Sequence, residues 1–341
     1  DYRFQEAAQA YDAWLASDKF VADEKIQVAK LAAKAKLGAA MLERVEDIAL
    51  IDSVKADKAD FINQIKMARE MGSFAFSADL LGLRANNYLV AFQSGRNDRR
   101  YLALRQNDTQ SDLYQSYNLM NEWGEPVALS SVLNTPRDEN YPFVAADGIT
   151  IYFGSEGHEG LGGYDIFTSR FNSETADYLP PQNVGMPFNS PFNDYMMVID
   201  ETKGLGWFVS DRFQSEGKVC VYLFIPNAEH KRLETEDVEL KRSRAAIASI
   251  KDSWTANATY SNLIQLAHQE ILSGTNEVKK DFDFVVSDNI VYYTLSDFAS
   301  PEAKNYFEKV IALRKQIDEL NGKLADMRKS YKAGNKTDKE R

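Results

Sequence analysis

A period of just over fifty residues, carried by strand-like segments, constrains this chain more than any other feature. Tyr88, Tyr141 and Tyr195 each open a similar strand, at separations of 53 and 54. Asp112-Leu113-Tyr114 and Asp165-Ile166-Phe167 stand 53 apart, and Tyr222 follows Phe167 by 55. The connecting segments match too. Pro126 to Pro136 lies over Pro181 to Pro191 without a gap at an offset of 55, and Tyr152-Phe153-Gly154-Ser155 lies over Trp207-Phe208-Val209-Ser210 at the same offset. A fixed period holding several strands means an array of sheet units, none of which buries its own face, so neighbours must stack.

The clearest unit runs from Asn134 to Ser169. Ile149, Ile151 and Phe153 alternate with Thr150, Tyr152 and Gly154, the two-residue period of a half-buried strand. Asp147-Gly148 reads as a two-residue hairpin, since glycine tolerates the positive φ such turns need. A second strand, a glycine-rich turn and a third strand follow, which makes a meander.

The sequence Pro-x-x-Leu-x-x-x-x-Asn-Thr/Ser, then Asp/Asn-Tyr, Asp-Gly, Tyr-Phe-x-Ser and Gly-Gly-Tyr-Asp-Ile-Phe resembles the TolB-type, WD-like β-propeller repeats of Gram-negative envelope proteins. The resemblance covers roughly Tyr88 to Ile225 and is densest over Asn134 to Arg212. It implies a small WD-like β-propeller or open blade array. It also implies the periplasm or the periplasmic face of the outer membrane, a lipid anchor upstream of Asp1, and envelope-protein partners in an outer-membrane assembly or transport complex. Three units are fewer than the about four blades of ordinary closed propellers. Phe284 to Tyr293 aligns without gaps to Phe143 to Tyr152, with Asp288-Asn289 in place of Asp147-Gly148, and is expected to return as a late strand pair.

The expected fold class is therefore α+β in several parts, blades flanked by helical segments. Residues 1–72 read as helical and tetratricopeptide-like, 73–238 as the repeats, 239–281 as a helical insertion, 282–299 as the late strand pair, and 300–341 as an amphipathic helix with a frayed tail. In the first region Phe4, Ala7, Ala8, Tyr11, Trp14 and Leu15 share one helix face, and a further helix over residues 55–70 presents Phe61, Ile62 and Ile65. Val238, Leu240, Ile247 and Ile250 suggest one helix of the insertion; Leu263, Ile264, Leu266, Ala267 and Ile271 suggest another, stopped at Gly274. Ser300-Pro301-Glu302 opens the last helix as cap, first-turn proline and early acid. Val310, Ile317, Leu324 and Tyr331 against Leu313, Leu320 and Met327 form a helix-pairing seam, which fits folding back or joining another chain.

Charge limits the functions open to the chain. Its net charge is −11, although residues 301–341 carry eleven Lys/Arg and seven Asp/Glu, a local +4. An extended nucleic-acid footprint is not expected, because phosphate binding needs clustered Lys and Arg. No stretch approaches the roughly 18 apolar residues of a membrane span. The one cysteine, Cys220, reads as a small buried hydrophobe.

Candidate chemistry is sparse. His158, His230 and His268 lie in separate segments without zinc spacing, and no nucleophile elbow, Walker loop or dinucleotide fingerprint is present. Glu156, His158, Glu159 and Asp165, around Gly154 to Gly163, are the candidate ligands for a divalent cation. A glycine turn accounts for that loop better, and the recurrence of Asp165 as Asp112 favours a bracing role. The strand aromatics Phe92, Tyr101, Tyr114, Tyr117, Phe153, Phe167, Trp207 and Phe208 read as packing between units rather than as a stacking platform. No enzyme assignment and no cofactor follow. The expected role is a non-catalytic protein-binding or scaffolding subunit in a bacterial envelope. The runner-up is a propeller that binds or processes a glycan or peptide.

Overall fold

Helices α1 (Phe4–Leu15) and α2 (Ala22–Leu42) open the chain and pack on each other. Val28, Ala32 and Ala35 keep one face of α2 buried, and the Phe4 ring lies flat against Gly38, where a Cβ would collide with it. The apolar face expected of α1 is only partly covered: Ala8 is buried, whereas Trp14 is half exposed. The computed structural model describes residues 2–17, 22–82, 89–105, 110–119, 122–255, 258–268, 284–287, 290–292, 295, 298, 300, 302–310, 313 and 323. Tyr88 lies outside them. Two compact units divide the chain, Asp1–Ile271 and Leu272–Arg341.

After α2 the sequence expectation fails. Residues 55–70 were expected as a helix, but strand β1 (Ala49–Asp57) occupies the start and a single 3-10 turn (Phe61–Gln64) follows. β1 pairs antiparallel along its length with a strand 160 residues later, Asp57 lying opposite Lys218. A helical reading of Phe61, Ile62 and Ile65 catches their burial but not its cause, which is tertiary: Phe61 packs on Tyr141 at 6.0 Å.

The repeats form three antiparallel meanders, and the fold is α+β. The first sheet holds β2 (Gly72–Phe76), then, after the short helix α3 (Ser77–Leu80), β3 (Val90–Ser94), β4 (Arg99–Arg105) and β5 (Ser111–Leu119), edged by β6 (Glu122–Trp123) and β7 (Val127–Ala128). The second holds β8 (Glu139–Val144), β9 (Thr150–Ser155) and β10 (Asp165–Asn172), edged by β11 (Asp177–Tyr178) and β12 (Gln182–Asn183). The third runs β13 (Asp194–Asp200), β14 (Leu205–Ser210), β15 (Lys218–Ile225), with β1 as its outer strand. No described sheet closes on itself as a barrel.

Repeat positions 55 residues apart do the same work at two places in the array. Asn134 accepts from Leu113 N and donates back to Leu113 O, at 2.7 and 3.0 Å; Asn189 does the same to Ile166, at 2.8 Å both ways. Thr135 N and Oγ1 donate to Glu139, and Ser190 N and Oγ donate to Asp194. The Asp147-Gly148 turn forms with Gly148 at φ +70°, but it is longer than a two-residue hairpin, since β8 ends at Val144 and β9 starts at Thr150. Asp147 steadies the longer loop by accepting from Ile149 N, Thr150 N and Thr150 Oγ1.

One core links the three sheets through Phe92, Phe143, Phe153, Trp207 and Val221. Of the eight strand aromatics assigned to packing, only Tyr117 is markedly exposed. Residues 61–71 enter this core as well, tied to the third sheet where Ala68 N donates to Asp200 and Lys203 Nζ donates to Lys66 O. Helix α4 (Val238–Ala246) starts where Asp237 accepts from Glu239 N and Leu240 N, a cap worth about 1 kcal/mol. Its expected apolar face is met in half: Val238 and Leu240 are exposed and Lys241 is buried against Glu43 at 2.8 Å, whereas Ile247 and Ile250, past the helix end, pack on the core. Helix α5 (Ser261–His268) does bury Ala267 and packs Leu263, Ile264 and Leu266 on the core as expected; Ile271 and Gly274 lie outside the described residues.

In the second unit β16 (Phe284–Ser287) and β17 (Ile290–Tyr292) pair with each other; Asp288-Asn289 lies outside the described residues. Residues 302–310 are helical, and Ser300 caps them, its Oγ accepting from Ala303 N. Val310 and Leu313 of the seam are exposed, while Ile317, Leu320, Leu324 and Met327 lie outside the described residues. No described helix is long and apolar enough to cross a membrane.

Candidate functional site

The loops that join the inner strands of the second and third sheets converge on three tyrosines. Tyr141, Tyr164 and Tyr195 contact one another with ring centroids 5.4 to 5.7 Å apart. Lys58, in the turn after β1, is held there by its own N–H donating to Gly217 O. Its ammonium sits 4.2 Å from the centre of the Tyr195 ring and donates to Tyr195 Oη at 3.0 Å. Tyr195 Oη in turn donates to Asp211 Oδ2 at 2.8 Å, and Asn193 donates to the same carboxylate through its N and Nδ2.

Beside this chain opens a cavity of about 430 Å³, walled by Lys58, Asn193, Tyr195, Asp211, Gln214 and Lys218. A second depression of about 340 Å³, bounded by Lys55, Asp57 and Phe213, shares Gln214, Ser215 and Lys218 with the first. Phe192 lines the first and Phe213 the second, and the two rings meet edge to face at 5.0 Å. Phe213 is 63% exposed and its backbone is left-handed, φ +57°. For a bulky side chain that conformation costs about 1–3 kcal/mol and persists only where neighbours impose it. Before it in the chain stands Arg212, fully buried, whose guanidinium donates to Pro187 O, Phe188 O, Ser210 Oγ and Asp194 Oδ1.

The electrostatics follow from burial. Desolvation lowers the Lys58 ammonium's pKa, against the pull of Asp211 and Glu156. Desolvation raises Tyr195, and its hydrogen bond to Asp211 raises it further, so its hydroxyl stays protonated. Glu156 is raised by desolvation and then by Asp138. The result is a cation balanced by nearby carboxylates, with Asp211 already holding three hydrogen bonds.

The four loop residues singled out as metal ligands are not brought together. Asp165 turns inward to accept from Leu161 N, Gly162 N and Asn183 Nδ2, which braces the loop from within. His158 Nε2 donates to Leu133 O at 2.9 Å and packs on Phe153 and Phe167. Glu156 and Glu159 point to solvent. Among the described residues no group of three or more His, Cys, Asp or Glu is placed to hold a metal ion. The loop itself matters to the cavity by position: Gly162 passes so close to the Phe192 carbonyl that a Cβ would overlap it, and Lys34 of α2 clamps Leu161 O and Gly162 O from outside.

Sequence reasoning missed Lys58, Asp211, Phe192 and Phe213. Lys58 fell in a segment read as helix. Phe213 did carry a signal, since the repeat offset of 55 sets it over His158, which packs inward while Phe213 stands out. No protein-family model matches the chain, and no curated protein matches it significantly.

Proposed function

We propose that this chain is a non-catalytic binding module: an open array of WD-like blades that serves as a protein-binding or scaffolding subunit of a bacterial envelope complex. The observation that carries the binding reading is the pair of phenyl rings, Phe192 and Phe213, exposed at the rim of a cavity whose one well-placed carboxylate, Asp211, already accepts two bonds from Asn193 and one from Tyr195. Such a site recognises rather than reacts. The envelope setting, on the periplasmic side of the outer membrane with a lipid anchor, rests on the resemblance of the repeats. The helix pair α1–α2, with Trp14, Ile26 and Leu31 exposed, supports a second protein-facing surface of tetratricopeptide type.

The cavity favours one other reading, a propeller that takes a glycan or peptide ligand of its own. Affinity purification from the native envelope in mild detergent, with mass spectrometry of co-purifying chains, separates the two. Recovery of a stoichiometric membrane-protein partner supports the scaffold. Recovery of the protein alone removes it in favour of the ligand reading.

A further inference from the structure

Resting on the binding-module reading, we infer that the paired depressions beside Lys58 and Phe213 receive an extended, uncharged segment of a partner polypeptide, with a main-chain carbonyl on Lys58 Nζ and an apolar side chain on the Phe192–Phe213 rings. Among the described residues Tyr195 Oη is the single hydrogen-bond acceptor for Lys58 Nζ, although an ammonium carries three N–H groups. Its remaining donors border the cavity. The acceptor that fits is neutral, because the cavity wall already balances two lysines, Lys58 and Lys218, by two carboxylates, Asp211 and Glu216, in number. Lys218 is further occupied by Asp57 at 2.6 Å. A carboxylate or phosphate would meet Asp211 and Glu216 as like charges.

The shape calls for a chain rather than a compact ligand. Two depressions share the wall formed by Gln214, Ser215 and Lys218, so one occupant crossing that wall fills both. An extended peptide places alternate side chains on the same side about 7 Å apart, matching a bipartite groove, while its carbonyls remain free for Lys58. Exposed aromatic anchors beside a mostly satisfied polar wall are the composition from which interface hot spots are built. Phe213 follows the buried Arg212 with a left-handed backbone, and its ring stands exposed.

The test uses the intact protein and a random-peptide phage library. Peptides enriched by panning are synthesised with a fluorophore and titrated by anisotropy against wild type, Phe213→Ser and Lys58→Met, each shown by a cooperative thermal transition to be folded at the titration temperature. Expected are enriched peptides with an apolar residue and no bias in net charge, affinity nearly independent of salt, a loss of at least about tenfold in Phe213→Ser and a smaller loss in Lys58→Met. An acidic consensus with steep salt dependence would overturn the inference. Equal binding by Phe213→Ser, or no enrichment at all, would do the same. Binding on a glycan array that disappears in Phe213→Ser would assign the groove to a saccharide instead. An envelope partner still captured by Phe213→Ser would sink this site while leaving the binding-module reading in place.

Discussion

Arg212 Nη2 lies 2.7 Å from Asp194 Oδ1, and neither side chain reaches solvent. The pair is the root of the third sheet's loop, because the same guanidinium also collects Pro187 O, Phe188 O and Ser210 Oγ. Burial raises the Asp194 carboxyl, and the Arg212 guanidinium beside it pulls in the opposite direction. Removing one partner leaves a buried charge without compensation. Arg212→Leu should therefore cost about 3–5 kcal/mol in urea unfolding. Adding Asp194→Leu should recover part of that loss, because the stranded carboxylate is then gone. A double variant as unstable as the sum of the singles would show that the two do not act as a pair.

The second sheet has the acid without the arginine. Glu139 stands where Asp194 stands, with Ser155 over Ser210, and the place of Arg212 is taken by Gly157. Glu139 is fully buried, and burial raises its carboxyl to about 7 despite hydrogen bonds from Thr135 and Ser155. The native state thus holds a proton that the unfolded chain releases above its ordinary carboxylate pKa. Stability from this group is full below about pH 4.5 and is lost as pH rises through about 7, by at most about 3 kcal/mol. Glu139→Gln, which mimics the protonated form, should flatten that slope. Urea unfolding of both proteins at pH 5 and pH 8 decides it: parallel changes in the two would remove Glu139 as the source.

Asn134 and Asn189 make the same two-pronged bond to Leu113 and Ile166. Asn189 is completely buried, so Asn189→Ala strands Ile166 N, while Ile166 O keeps the bond from Val184 N, and should cost about 1–3 kcal/mol. Asn134→Ala should cost less, since its site is partly buried. Chemical denaturation of the two variants measures the difference, and equal losses would contradict the burial argument.

These asparagines also show what the chain revealed before folding and what it hid. Both stand in the Asn-Thr and Asn-Ser steps of the repeat, so the offset of 55 located them, and the sheet units with them, because each does the same local job. β1 was hidden for the opposite reason. Its partner β15 lies 160 residues downstream, and nothing local distinguishes a strand awaiting such a partner from a helix with the same apolar residues. The cavity inherits that blindness, since Lys58 follows β1. The rest of it depends on backbone direction at Phe213, a sign of φ that composition does not encode. α4 misled in another way, its buried positions being Lys241, paired with Glu43, and Ala245 rather than Val238 and Leu240.

Phe213 gives the sharpest contrast between stability and recognition. Its φ of +57° suits glycine and strains every residue with a Cβ. Phe213→Ala loses the ring contact with Phe192, worth about 0.5–1.5 kcal/mol, and keeps the strain. Phe213→Gly loses the same contact but relieves the strain, offset in part by the greater freedom of glycine in the unfolded chain. The glycine variant should therefore be the more stable of the two by about 1 kcal/mol, the reverse of the usual alanine-over-glycine order. Both should lose peptide binding, because both lack the ring. Thermal and urea unfolding of the pair, alongside the anisotropy titration, test this together. If alanine proved the more stable, the loop would relax rather than hold Phe213 in place, and the outward ring would be no fixed anchor.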